Sequence, residues 1–114
     1  VMFKKLTVIV LSLCAFFAQA SERAEQAWQL IDQGALLVDV RTPQEFADGH
    51  LDNAINYPLN TVTTAFNNVD KNRLIVVYCR SGNRSGQALR YLKQVGYTRV
   101  FNGGGLQELL KAKP

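Results

Sequence analysis

One cysteine followed closely by two arginines is the part of this 114-residue chain best equipped for chemistry. The stretch reads Cys79-Arg80-Ser81-Gly82-Asn83-Arg84-Ser85-Gly86. A free thiol has a pKa of about 8.5, and only its thiolate is a strong nucleophile. Backbone N–H groups of a tight loop that opens a helix favour negative charge. Arg80 and Arg84 add two fixed positive charges there. Together these residues describe a thiolate nucleophile in an anion cradle. A lone thiol is either a packing residue or a reactive one, and the place of Cys79 between strand and helix favours reactivity. Outside the N-terminal leader the chain has one histidine and one cysteine, so no metal-ligand cluster and no cofactor are expected.

The cysteine needs a frame. Residues 74–79 form a continuous apolar run rich in β-branched side chains, which predicts a strand covered on both faces. Residues 87–95 then predict a helix with Ala88, Leu92 and Val95 on one stripe. In an open α/β sheet, ligands bind where such a strand ends.

Upstream, residues 21–33 predict a helix capped by Ser21 and stopped by Gly34. Residues 35–40 predict a short buried strand. Asp39 within it is costly unless paired, with Arg41 and the loop arginines as candidates, and a structural ion pair is favoured over catalysis. Thr42-Pro43-Gln44-Glu45 spells a capping box, opening a helix over 43–48 that turns Phe46 to the core. His50 reads as a hydrogen-bonded turn residue rather than a general base. Further strands are predicted at 54–57 and 98–101, a helical turn at 61–68, and a helix at 106–111. The glycines of 102–105 read as a flexible loop or as a close approach of backbone to a neighbour. Alternating strands and helices predict an α/β fold, with a mostly parallel sheet of about five strands and helices on both faces.

Residues 1–20 carry Lys4 and Lys5, an apolar stretch over 6–17, and Ala18-Gln19-Ala20. This is the pattern of a cleaved secretory signal peptide. The run is short for a membrane anchor, which needs about 20 apolar residues. The expectation is a periplasmic protein spanning residues 21–114, with no stable membrane association after cleavage. Two of the 13 basic residues, Lys4 and Lys5, leave with the leader, so 11 remain against 9 acidic ones, a formal charge of +2. That is too mild, and too scattered, to suggest nucleic acid. Cys14 leaves as well, so no internal disulfide is expected.

Several segments in series resemble a known family: Asp39-Val40-Arg41-Thr42-Pro43-Gln44-Glu45-Phe46, Gly49-His50-Leu51-Asp52-Asn53-Ala54-Ile55-Asn56-Tyr57-Pro58, Val77 through Ser85, Gly96-Tyr97 and Gly103-Gly104. In order and spacing they resemble a single rhodanese-like domain, a sulfurtransferase. With the leader, the chain is most similar to the small periplasmic rhodaneses of the phage-shock type. The resemblance implies that Cys79 carries a persulfide. It also implies that Arg80, Ser81, Gly82, Asn83 and Arg84 form the substrate loop, with Asp39, Arg41 and Ser85 in support. Sulfur would come from thiosulfate or a similar small anionic donor and pass to cyanide or a thiol. A third glycine after the usual pair, and Leu109-Leu110 where a tryptophan is frequent, depart from the pattern. Two alternatives remain. Cysteine phosphatases place five residues between Cys and Arg where this chain has four, and a non-catalytic binding module of the same fold often lacks the cysteine.

Overall fold

The computed structural model describes residues 21–114, and the expected leader with Cys14 lies outside the described residues. The elements in order are α1 (Glu22–Asp32), β1 (Leu36–Asp39), α2 (Pro43–Asp48), β2 (Ile55–Asn56), a 3-10 turn (Leu59–Thr61), α3 (Val62–Ala65), β3 (Ile75–Cys79), α4 (Asn83–Gln94), β4 (Val100–Gly105) and α5 (Leu106–Lys111). Among the described residues the sheet has four strands, all parallel, in the order β2-β1-β3-β4. That is close to the expected five.

β3 lies between β1 and β4, and all five of its residues are buried. Its side chains alternate between two cores, as the period of a strand requires. Ile75, Val77 and Cys79 join Val38, Val40, Phe66, Ala88 and Leu92 under α4. Val76 and Tyr78 join Leu37, Ala24, Ala27 and Leu109 under α1 and α5. Each fully buried aliphatic side chain contributes about 1.5–3 kcal/mol relative to exposure. The alternation also aims the site: it sends the thiol of Cys79 to the α4 face.

Two local signals hold as expected. Thr42 accepts from the Glu45 amide while Glu45 reaches back to the Thr42 amide, and α2 spans residues 43–48 as predicted. Gly34, at φ 97°, turns the chain out of α1 into β1.

Other expectations need correction. Ser21 stands at the N-cap of α1, but its side chain makes no capping bond. Phe46 is half-buried and outside both cores, because its ring stacks on His50 with centroids 3.6 Å apart. Helix α4 begins at Asn83, four residues earlier than predicted, because Gly82 at φ 96° turns the chain directly into it. Val95 follows its last turn and is exposed. The glycines of 102–105 are not a flexible loop. They extend β4, with a bulge where Val77 pairs with Asn102 but Tyr78 pairs with Gly104. The glycines there are a case of close approach, to side chains at Gly103 and to backbone at Gly105. A Cβ on Gly103 would lie 3.2 Å from both the Ala27 and Val76 side chains, and one on Gly105 would overlap the Arg80 carbonyl.

Candidate active site at the end of the third strand

Cys79 ends β3, and its side chain lies at the N-terminus of α4. That helix has no capping side chain and no acidic residue in its first turn. The sulfur stands where a cap would. The Gly82 N–H donates to Sγ at 3.0 Å, and the Ser85 hydroxyl lies 3.3 Å away. The Ser81 and Ser85 amides also face it. Unpaired N–H groups at a helix start favour an anion. Burial pushes the Cys79 thiol up. The Ser85 hydroxyl and the Ser85, Ser81 and Gly82 amides outweigh burial, and the net shift is downward. The sulfur itself is fully covered, with 0% exposure.

Each predicted site residue has a definite place. Gly82 is buried against the thiol, and its left-handed φ is open to glycine at no cost. Ser85 is fully buried. Arg80, Ser81 and Asn83 are exposed on the outer side of the loop. Arg80 lines a cleft of about 390 Å³ with Arg41, Glu45, Asp48, Leu106 and Gln107. Arg84 does not stand free over the sulfur. It makes a two-pronged pair with Glu45, at 2.7 and 3.0 Å. The Arg84 guanidinium, against burial and with help from Thr42, pulls the Glu45 carboxyl down to about 2.

Asp39 pairs with Arg41, not with the loop arginines. Its carboxylate accepts from Arg41 Nε at 3.1 Å, from Nη2 at 2.8 Å and from the Arg41 amide at 2.9 Å. Arg41 Nη2 also donates to the Gly49 carbonyl at 2.6 Å. The pair is buried and ties β1 to the turn after α2, as a structural ion pair does. His50 is likewise structural: its Nδ1 lies 2.8 Å from the Phe46 carbonyl.

Three participants escaped the sequence reading. Glu45 was legible as a capping residue but not as the partner of Arg84. Asn102 carries the loop from β4, donating to the Gly82 carbonyl at 3.0 Å and accepting from the Ser85 hydroxyl at 2.8 Å. Its only signal was its position before the glycine triplet, at the same end of the sheet as Cys79. Arg23, in the first turn of α1, donates to the Ser81 carbonyl at 3.1 Å and gave no local signal. Negative charge on Cys79 helps keep both Arg23 and Arg84 protonated, after the larger effect of their glutamate partners.

Comparisons with known proteins place the chain in a family. A family model described as "Rhodanese-like domain" matches residues 23–112. A sulfurtransferase of Allochromatium vinosum is 46% identical over 70 residues, covering 61% of this chain and 65% of that protein. Thiosulfate sulfurtransferase PspE of Escherichia coli is 41% identical over 78 residues, covering 67% of this chain and 75% of that one. Among solved structures, a human single-domain sulfurtransferase, TSTD1, superposes with a TM-score of 0.71 at 26% identity, covering 78% of this chain and 93% of its own. A rhodanese with anions from E. coli gives a TM-score of 0.62 at 42% identity, over 66% of this chain and 91% of that one. The chain belongs to the rhodanese-like domain family and is an enzyme of its single-domain sulfurtransferase type.

Proposed function

We propose that this sulfurtransferase works through a persulfide on Cys79, with thiosulfate or a similar small anion as donor and cyanide or a thiol as acceptor. The observation that carries the reading is a sulfur at the start of α4 that receives the Gly82 N–H at 3.0 Å and lies 3.3 Å from the Ser85 hydroxyl. In the first half-reaction the thiolate attacks the outer sulfur of thiosulfate. A bond forms between Sγ and that sulfur, the sulfur–sulfonate bond breaks, and its electron pair leaves with sulfite. The acceptor then attacks the outer sulfur of the persulfide. For cyanide the products are thiocyanate and the regenerated thiolate. Nucleophilic catalysis divides one hard transfer into two easier ones.

The loop amides suit an anionic terminal sulfur as an oxyanion hole suits oxygen. Arg84 and Arg80 are the cations proposed to hold the donor's sulfonate, and Arg84 must exchange some of its contact with Glu45 to do so. Because the thiol is fully covered, the exposed part of the loop, Arg80, Ser81 and Asn83, has to shift before a donor reaches it. We propose also that the protein acts in the periplasm, on the strength of the basic, apolar and Ala18-Gln19-Ala20 segments of its leader.

Mass spectrometry after incubation with thiosulfate tests the mechanism. Cys79 should gain one sulfur atom, lose it on adding cyanide, and do neither in Cys79→Ser. Turnover of an aryl phosphate without any sulfur gain would overturn the proposal in favour of a phosphatase.

A further inference from the structure

Arg23 makes an arrangement around the cysteine loop that the sulfur-transfer chemistry above does not use. Its Nε donates to Glu108 Oε2 at 2.8 Å, and its Nη2 donates both to Glu108 Oε1 at 2.8 Å and to the Ser81 carbonyl at 3.1 Å. Glu108 in turn accepts from the Gly105 amide at 3.2 Å. The guanidinium sits close to two glycines from different elements. A Cβ on Gly82 would sit 2.9 Å from Nη1, and one on Gly104 would sit 2.6 Å from Nε. Both glycines have φ of 96°. Two left-handed glycines, one in the cysteine loop and one in β4, therefore leave room for a single arginine from α1. Ala24 and Ala27, both buried, anchor the helix that carries it.

We infer that Arg23 is a positioning residue for Cys79: braced by Glu108, it holds the Ser81–Gly82 backbone so that the Gly82 N–H stays on the sulfur, and it lends positive charge to the thiolate. This rests on the sulfur-transfer reading of Cys79. The other charged groups around the thiol are Arg84 with Glu45 on the α2 side, Arg80 beside it in the loop, and the Asp39–Arg41 pair on the neighbouring strand. Arg23 is the one that grips the loop backbone itself, at Ser81, directly before the donor amide. A lysine cannot replace it, because no ammonium matches the planar fork that spans Glu108 and Ser81 together.

The test compares wild type, Arg23→Met, Arg23→Gln and Arg23→Lys as full-length folded protein. Two readouts are taken: the pH profile of Cys79 alkylation by iodoacetamide, and the rate of sulfur loading from thiosulfate. Arg23→Met should move the alkylation midpoint up, with a roughly threefold to tenfold lower thiolate-to-thiol ratio at a given pH, and slow loading. Arg23→Lys should recover part of the pH shift but not the loading rate. Should Arg23→Met fail to fold, Arg23→Gln carries the same comparison. Variants that fold with an unchanged alkylation profile and unchanged loading overturn the inference, as do variants whose only change is a lower melting temperature. Failure of the wild type to gain sulfur sinks the persulfide reading instead, and the alkylation arm still decides the role of Arg23.

Discussion

Replacing Ser85 with alanine should raise the pKa of Cys79 and leave less of it as thiolate. The Ser85 hydroxyl has one proton and two acceptors within reach, Asn102 Oδ1 at 2.8 Å and the sulfur at 3.3 Å. With a neutral thiol the shorter bond to Asn102 takes the proton. With a thiolate the hydroxyl turns to the sulfur. A hydrogen bond to a charged group is worth about 1.5–3 kcal/mol, and the neutral bond given up is worth about 0.5–1.5 kcal/mol. The net favour to the thiolate is about 1 kcal/mol. At any pH this is roughly a fivefold smaller thiolate-to-thiol ratio. Asn102 is not left unsatisfied by the substitution, because its Oδ1 still accepts from the Gly104 amide at 2.9 Å. The variant should therefore fold, losing at most about 1.5 kcal/mol. Alkylation rates measured from about pH 5 to about pH 10 give the midpoint directly. An unmoved or lowered midpoint would refute the claim that the hydroxyl favours the anion.

Glu45→Gln should destabilise the protein by about 1 kcal/mol at neutral pH, since the Arg84 pair is partly exposed. Glu45 titrates near 2 when folded against 4.5 ordinarily, so its contribution is complete above 4.5 and fades as pH falls toward 2. Urea titrations of both proteins at neutral and acid pH should show the gap closing in acid, and a constant gap would contradict the ion-pair account. Asp39→Asn strips the buried Arg41 of its partner and should cost about 3–5 kcal/mol, read as a lower urea midpoint. A loss below about 1 kcal/mol would mean that the buried pair contributes little to the fold.

Residues whose meaning is local were readable in advance. The apolar run ending in Cys79 points to a strand buried on both faces, because it is short and rich in β-branched side chains. The Thr42–Glu45 box marked the start and length of α2, because both partners sit within a single turn. Arg41, two residues from Asp39, was one candidate partner beside the loop arginines, and the fold decided between them. What escaped depended on the fold. Arg84 with Glu45, and Arg23 with Glu108, join positions far apart in sequence, and exposed-looking charges give no hint of distant partners. The early start of α4 followed from Gly82 adopting a left-handed φ, a conformation that glycine permits but does not dictate. The glycines of β4 resemble a loop in composition, and they continue a strand only because β3 pairs with their backbone.

The complete coverage of the Cys79 sulfur sets protection against throughput. Oxidants and bulky electrophiles cannot reach the sulfur while it is covered, so the group most vulnerable to irreversible damage is the one that solvent does not touch. Under the proposed persulfide route the same shielding makes each turnover wait for the cover to open, and the observed rate would be intrinsic reactivity multiplied by the open fraction. Stiffening that cover would then lengthen the working life of the enzyme and slow it.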